Sequence, residues 1–193
     1  MLHTLDKLVK EGFEVTYLDV KEGHNITAQQ VKDAIREDTC LVTCMYANNE
    51  IGSVLPIAEI GAVCKEAGVL FHTDAVQGFL KVPFSAKTLG ADLITISSHK
   101  IHGPKGCGAL YISPKLKSFP ALLIGGGQEG GLRSGTENVP GICAFGEAIR
   151  IASEGLRARY SMLCELRERL LEGLEGLDVS VTVPERYAPH IVN

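Results

Sequence analysis

The chain has 193 residues, 45% of them hydrophobic and 22% charged, with a formal net charge of −4. That is enough for one substantial domain with a core, and too apolar for a disordered chain. No apolar run reaches bilayer-spanning length, no basic stripe offers a grip on nucleic acid, and residues 1–6 lack the basic-then-apolar order of a secretory signal.

Leu2, Leu5, Leu8 and Val9 make one face of a first helix, with Gly12 as its stop. Residues 13–18 alternate like a strand. Thr27 is placed to cap a helix running to residue 35, with Gln30 as capping-box partner. Residues 40–46 form a β-rich apolar run. Pro56 opens a helix carrying Ile57, Ile60, Val63 and Cys64 to a stop at Gly68. Residues 69–73, 92–96 and 108–112 read as further strands. Strands separated by helices of this length call for parallel crossovers. The fold class expected is therefore a three-layer α/β domain, a mainly parallel sheet flanked by helices on both faces.

Beyond Gly125-Gly126-Gly127 lies a loop and then a long helical stretch. Ile142, Phe145, Ile149, Ala152 and Leu156 make one stripe, which Leu163, Leu166 and Leu170 continue, and Gly155 is expected to bend it. Residues 179–183 read as a strand belonging to a different sheet. Neither end carries a full element: the first helix lacks a cap, and a strand-like run stops at Asn193. The expectation is an interior piece of a longer protein.

Six cysteines, Cys40, Cys44, Cys64, Cys107, Cys143 and Cys164, include no Cys-x-x-Cys pair. Several lie in apolar runs, so buried free thiols in a reducing cytoplasm are expected, with no nucleophile among them. His99 and His102 have no third ligand nearby in sequence, so no metal site is expected.

Three polar clusters follow predicted strands: Asn48-Asn49-Glu50, Asp74 with Gln77, and Ser97-Ser98-His99-Lys100. Taken singly they read as a turn, a helix cap, a structural histidine and a surface charge. In an open parallel sheet, however, ligands bind outside the carboxyl ends of the strands, where all three would meet. Their chemistry matches the needs of pyridoxal phosphate. That cofactor takes a lysine amine on its aldehyde and a carboxylate facing its pyridine nitrogen, with polar partners for the ring hydroxyl and the phosphate. Lys100 and Asp74 supply the first two. Asn49 and Gln77 suit the ring hydroxyl, and Ser97 and His99 the phosphate. The glycine clusters at 103–108 and 125–131 lack the Gly-Lys-Ser/Thr ending of a P-loop.

Four strings carry a resemblance: Asn48-Asn49-Glu50-Ile51-Gly52, His72-Thr73-Asp74-Ala75-Val76-Gln77, Ser97-Ser98-His99-Lys100-Ile101-His102-Gly103-Pro104-Lys105-Gly106, and Gly125-Gly126-Gly127-Gln128-Glu129 leading to Arg133-Ser134-Gly135-Thr136-Glu137-Asn138. In order and spacing they resemble the cysteine desulfurases of the class V, fold-type I aminotransferase superfamily, over essentially the whole chain. Selenocysteine lyases share much of them. The resemblance implies a pyridoxal-phosphate enzyme that converts L-cysteine to L-alanine and passes sulfur as a persulfide to acceptor or scaffold proteins. It implies Lys100 as Schiff-base lysine and proton-transfer base, Asp74 as pyridinium partner, and Gln77 and Asn49 at the ring hydroxyl. Ser97 and His99 would hold the phosphate, joined by Thr136 reaching the neighbouring site of a homodimer.

The same resemblance implies that residues 1–172 belong to the large cofactor-binding domain and 173–193 open a smaller one. A phosphate-cradling loop and a ring-stacking histidine would precede Met1. The nucleophilic cysteine and a carboxylate-binding arginine would follow Asn193. Taken alone, the 193 residues are then expected to be an inactive dimerising and cofactor-binding fragment.

Overall fold

Four of the six extended runs are strands in the computed structural model, which describes residues 2–20 and 25–193. They are β1 (Leu41–Met45), β2 (Leu70–Asp74), β3 (Leu93–Ser97) and β4 (Gly108–Ile112), adjacent in that order. β1, β2 and β3 are parallel, with Thr43 opposite His72 and Asp74 opposite Thr95. β4 returns antiparallel to β3, Leu93 facing Ile112 and Ser97 facing Gly108. The short link between them, holding one 3-10 turn (Ser98–Ile101), leaves no room for a crossover helix. The result is the mainly parallel, helix-flanked α/β sheet that the alternation of periods implies.

Helix α1 (Leu2–Lys10) is followed by α2 (Ala28–Ala34), which Thr27 caps through a reciprocal bond pair with Gln30. α3 (Ile57–Ala67) crosses from β1 to β2. It ends at Gly68, whose φ of +72° suits a residue without a side chain and whose N–H bonds the Cys64 carbonyl. Ile57, Ile60 and Cys64 of this helix meet Phe71 of β2, all at most 1% exposed, and this contact is the centre of the core. α4 (Ala86–Leu89) crosses α3 so closely that a Cβ on Gly61 would lie 2.5 Å from the Leu89 carbonyl oxygen.

Past the loops, α5 (Val139–Ser153), capped by Asn138, packs on the 3-10 turn after β3. α6 (Leu156–Leu174) follows after Gly155, which takes φ +71° and breaks the helix instead of bending it.

Several expectations are corrected here. Residues 13–18 form no strand: among the described residues, none of the four strands pairs with them. Residues 179–183 also form none; Thr182 N–H bonds the Asn193 carbonyl at 2.8 Å, a single rung. On α6 the leucine stripe turns inward only at Leu163: Leu166 and Leu170 are about half exposed, and Arg167 is the buried residue. Its guanidinium lies over the Tyr187 ring at 4.5 Å and donates to the Ile191 carbonyl at 2.8 Å. Tyr160, Leu163, Arg167 and Leu171 keep helical spacing, but a charge at the centre of that face conceals it from a hydrophobic count. The cover over β4 is thin, with Leu110 and Tyr111 each 43% exposed.

The cysteines divide as well. All six are free, but only Cys64 is buried; Cys40 and Cys143 are exposed because they sit before β1 and on an outward face of α5. Burial pushes the Cys44 thiol up to about 12 and Cys64 to about 11, which keeps both protonated and inert.

Candidate functional site

Met45, Asp74 and Ser97 end the three parallel strands on one edge of the sheet. Strand alternation then sorts the side chains. Phe71 and Thr73 turn to α3 and are buried, whereas His72 and Asp74 take the opposite face. His72 ties the strands across that face. Its Nδ1 is 2.7 Å from Thr43 Oγ1 on β1 and its Nε2 is 2.8 Å from Thr95 Oγ1 on β3. Burial holds His72 below the ordinary histidine range, against a weaker opposing pull from Asp74.

The carboxylate of Asp74 is oriented by its own turn: Oδ1 accepts the Val76 N–H at 3.0 Å. The backbone then coils, Gly78 and Phe79 N–H both returning to the Ala75 carbonyl at 3.0 and 2.7 Å. Gly78 lies against the Tyr46 ring with no space for a Cβ, and Leu80 is held at a left-handed φ of +54°. Two side chains of this coil meet, Lys81 Nζ donating to Gln77 Oε1 at 3.1 Å.

After β3, Ser97 Oγ lies 2.8 Å from His99 Nδ1. The following 3-10 turn is anchored at both ends, Ser98 N–H bonding the Cys107 carbonyl and Gly103 N–H the Ser98 carbonyl. His102, at φ +67°, closes it. Lys100 projects from this turn onto a cavity of about 540 Å³ that it shares with Lys81, Arg159 and His190.

Asp74, Gln77, Ser97, His99 and Lys100 thus lie at the carboxyl ends of β2 and β3 and on the turns that follow, but of the five only Lys100 lines the cavity. Asn48 makes the turn after β1, its Oδ1 accepting the Glu50 and Ile51 N–H at 2.8 and 3.0 Å, and Asn49 is exposed at the tip. Thr136 is not among them. It is exposed on the loop pinned by Gln128 Oε1, which accepts the Gly135 N–H at 3.2 Å. Beside it Leu122 and Ile124 are 92% and 89% exposed.

Three residues near these strand ends and the cavity were given no role in the sequence reading: His72, Lys81 and His190. Lys81 had a usable signal, its spacing four residues after Gln77 in a turn-rich stretch. His190 had none, being brought to the cavity from the far end of the chain.

His190 is pushed down to about 4 by burial and then by Lys81, and His72 is lowered too. Each binds its proton less readily folded than unfolded, so the unfolded state gains protons first as pH falls. Stability is expected to be full above the unfolded histidine value of 6.5 and to decline from there toward about 4. The thermal midpoint of the protein across that range should show the decline, and His190→Asn should flatten it.

A family model, aminotransferase class-V, matches residues 2–193. The chain belongs to that family. Among class-V relatives, a cysteine desulfurase IscS from Clostridium botulinum is 48% identical over 198 residues, covering all of this chain and 50% of its own. A solved NifS-like protein superposes with a TM-score of 0.91 at 40% identity, covering 97% of this chain and 52% of its own. The structure of SspA in complex with cysteine gives 0.75 at 45% identity over 77% of this chain and 43% of its own. The chain therefore spans about half the length of the class-V proteins it matches. No helix among the described residues is long and apolar enough to cross a membrane.

Proposed function

We propose that the whole protein is a pyridoxal-phosphate-dependent cysteine desulfurase that converts L-cysteine to L-alanine and passes the sulfur on as a persulfide. The supporting observation is the sheet edge itself: a carboxylate, an amide, a hydroxyl–imidazole pair and an amine on adjacent parallel strands and their turns. This donor set fits the cofactor's ring nitrogen, ring hydroxyl, phosphate and aldehyde. The name of the Clostridium relative and the cysteine bound to SspA support the substrate.

Pyridoxal phosphate, when bound, supplies the electron sink for charge developing at the substrate's α-carbon. The chain's residues do the rest. Asp74 holds a proton on the ring nitrogen, with Oδ1 kept in place by Val76. Gln77 and Asn49 serve the ring hydroxyl. Ser97 and His99 hold the phosphate as a bonded pair. Lys100 would anchor the aldehyde carbon and, once the incoming substrate amine has displaced its Nζ from that carbon, would move the α-proton with the freed amine. Thr136 serves the phosphate of the neighbouring site in a homodimer, which its exposure beside the bare Leu122 and Ile124 favours. Residues 1–172 form the large domain and 173–193 open the small one. A reducing cytoplasm suits six free thiols, and acceptor or scaffold proteins take up the sulfur.

With pyridoxal phosphate present, the whole protein is expected to release alanine from L-cysteine, one for each sulfur transferred. No alanine from a protein that holds the cofactor would overturn the reading. The 193 residues alone are expected not to turn over, since none of their six cysteines matches the nucleophile of the family they resemble.

A further inference from the structure

Gln77 carries two opposite hydrogen-bonding ends, an oxygen that only accepts and an NH2 that only donates. Lys81 removes the ambiguity. An ammonium has donors and no acceptor, so the Gln77 end that lies 3.1 Å from Lys81 Nζ is its oxygen. The backbone enforces the meeting. The two residues sit on one coil in which Leu80 accepts a left-handed φ of +54°, and Gly78 is pressed against the Tyr46 ring. Strain of this kind persists where surrounding packing imposes it, and it collects at ligand sites.

The surroundings of Lys81 make the bond consequential. It lines the cavity with Lys100, His102, Arg159 and His190, and among the described residues no carboxylate lines that cavity. The ammonium is thus held against a neutral amide oxygen instead of an acid. Burial, and then the neighbouring Lys100, hold it below the usual lysine range. A charge so placed is not there as an ordinary ion pair.

We infer that Lys81 is a positioning residue: by holding the Gln77 oxygen it leaves the amide NH2 as the end available to the cofactor, so that Gln77 meets the ring oxygen only as a donor. This rests on the proposed pyridoxal-phosphate site. Without Lys81 the amide can turn over and present its oxygen, which repels an anionic ring oxygen.

The test reads the pH midpoint of the visible absorption of the whole protein loaded with pyridoxal phosphate. A donor to the ring oxygen withdraws electron density from the titrating group, so its loss raises the midpoint. Lys81→Met is expected to raise it by about one unit, Gln77→Ala similarly, and Lys81→Arg to leave it close to wild type. In the double variant the two shifts are expected not to add, because both remove one contact. An unmoved midpoint in Lys81→Met, or fully additive shifts, would overturn the inference. Lys81 is only half-buried, and Lys81→Leu, which also lacks a donor, provides a second variant should the methionine fail to fold. Absence of any visible band in the wild type would instead sink the cofactor reading itself.

Discussion

Lys100→Ala is expected to abolish the visible band that pyridoxal phosphate gives the whole protein, and to cut turnover by at least about a thousand-fold. The size follows from the two roles proposed for one atom, since Nζ would both anchor the aldehyde and, once freed, move the substrate proton. The turn that carries it does not depend on the side chain. Its bonds run through the backbone, Ser98 N–H to Cys107 and Gly103 N–H to Ser98, with His102 at φ +67° closing it. Truncating a half-buried lysine should therefore leave the fold intact, and a circular dichroism spectrum checks that. Lys81 makes the experiment sharper, because it presents a second amine to the same cavity. A band that persists in Lys100→Ala and vanishes in Lys81→Met would move the anchoring role to Lys81. A band missing from wild type and variant alike would overturn the cofactor reading itself.

Asp74→Asn should lower turnover by about 10- to 100-fold while leaving the thermal midpoint near wild type. Asp74 does two separable things. Its Oδ1 accepts the Val76 N–H and so starts the coil that bears Gln77 and Lys81. Its negative charge would, in the proposed site, keep the ring nitrogen protonated. Asparagine retains the acceptor and loses the charge, so the first role survives and the second does not. A charged hydrogen bond is worth about 1.5–3 kcal/mol, which is the rate loss expected if the pair is broken at the transition state. Asp74→Ala removes both, and should lose stability as well as rate. Equal rates in wild type and Asp74→Asn would refute the pyridinium role.

The strands and the helix caps were legible from residue order wherever the signal was local. Thr27 with Gln30, and Gly68 at the end of α3, act within one helical turn, so the residues that decide are next to each other. The strands of residues 13–18 and 179–183 were misread because alternation reports only a chain's readiness to pair. A strand also needs a neighbour, which no local pattern contains. The inward face of α6 was misread because the count followed leucines, and the structure buried Arg167 over Tyr187 instead. The candidate site fared similarly. Each of Asp74, Gln77, Ser97, His99 and Lys100 was visible as a residue after a strand, and the order of their strings carried the family resemblance.

By itself, then, the amino-acid order determined the element types, the sheet class and the chemical parts of the site, because periodicity, capping and motif spacing are all short-range. The tertiary structure alone decided who meets whom. Parallel register set His72 between Thr43 and Thr95, a forced left-handed residue swung Lys81 onto Gln77, and folding brought His190 across the chain to the cavity of Lys100. Those contacts depend on packing and crossover geometry summed over the whole domain, and no window of neighbouring residues holds that information.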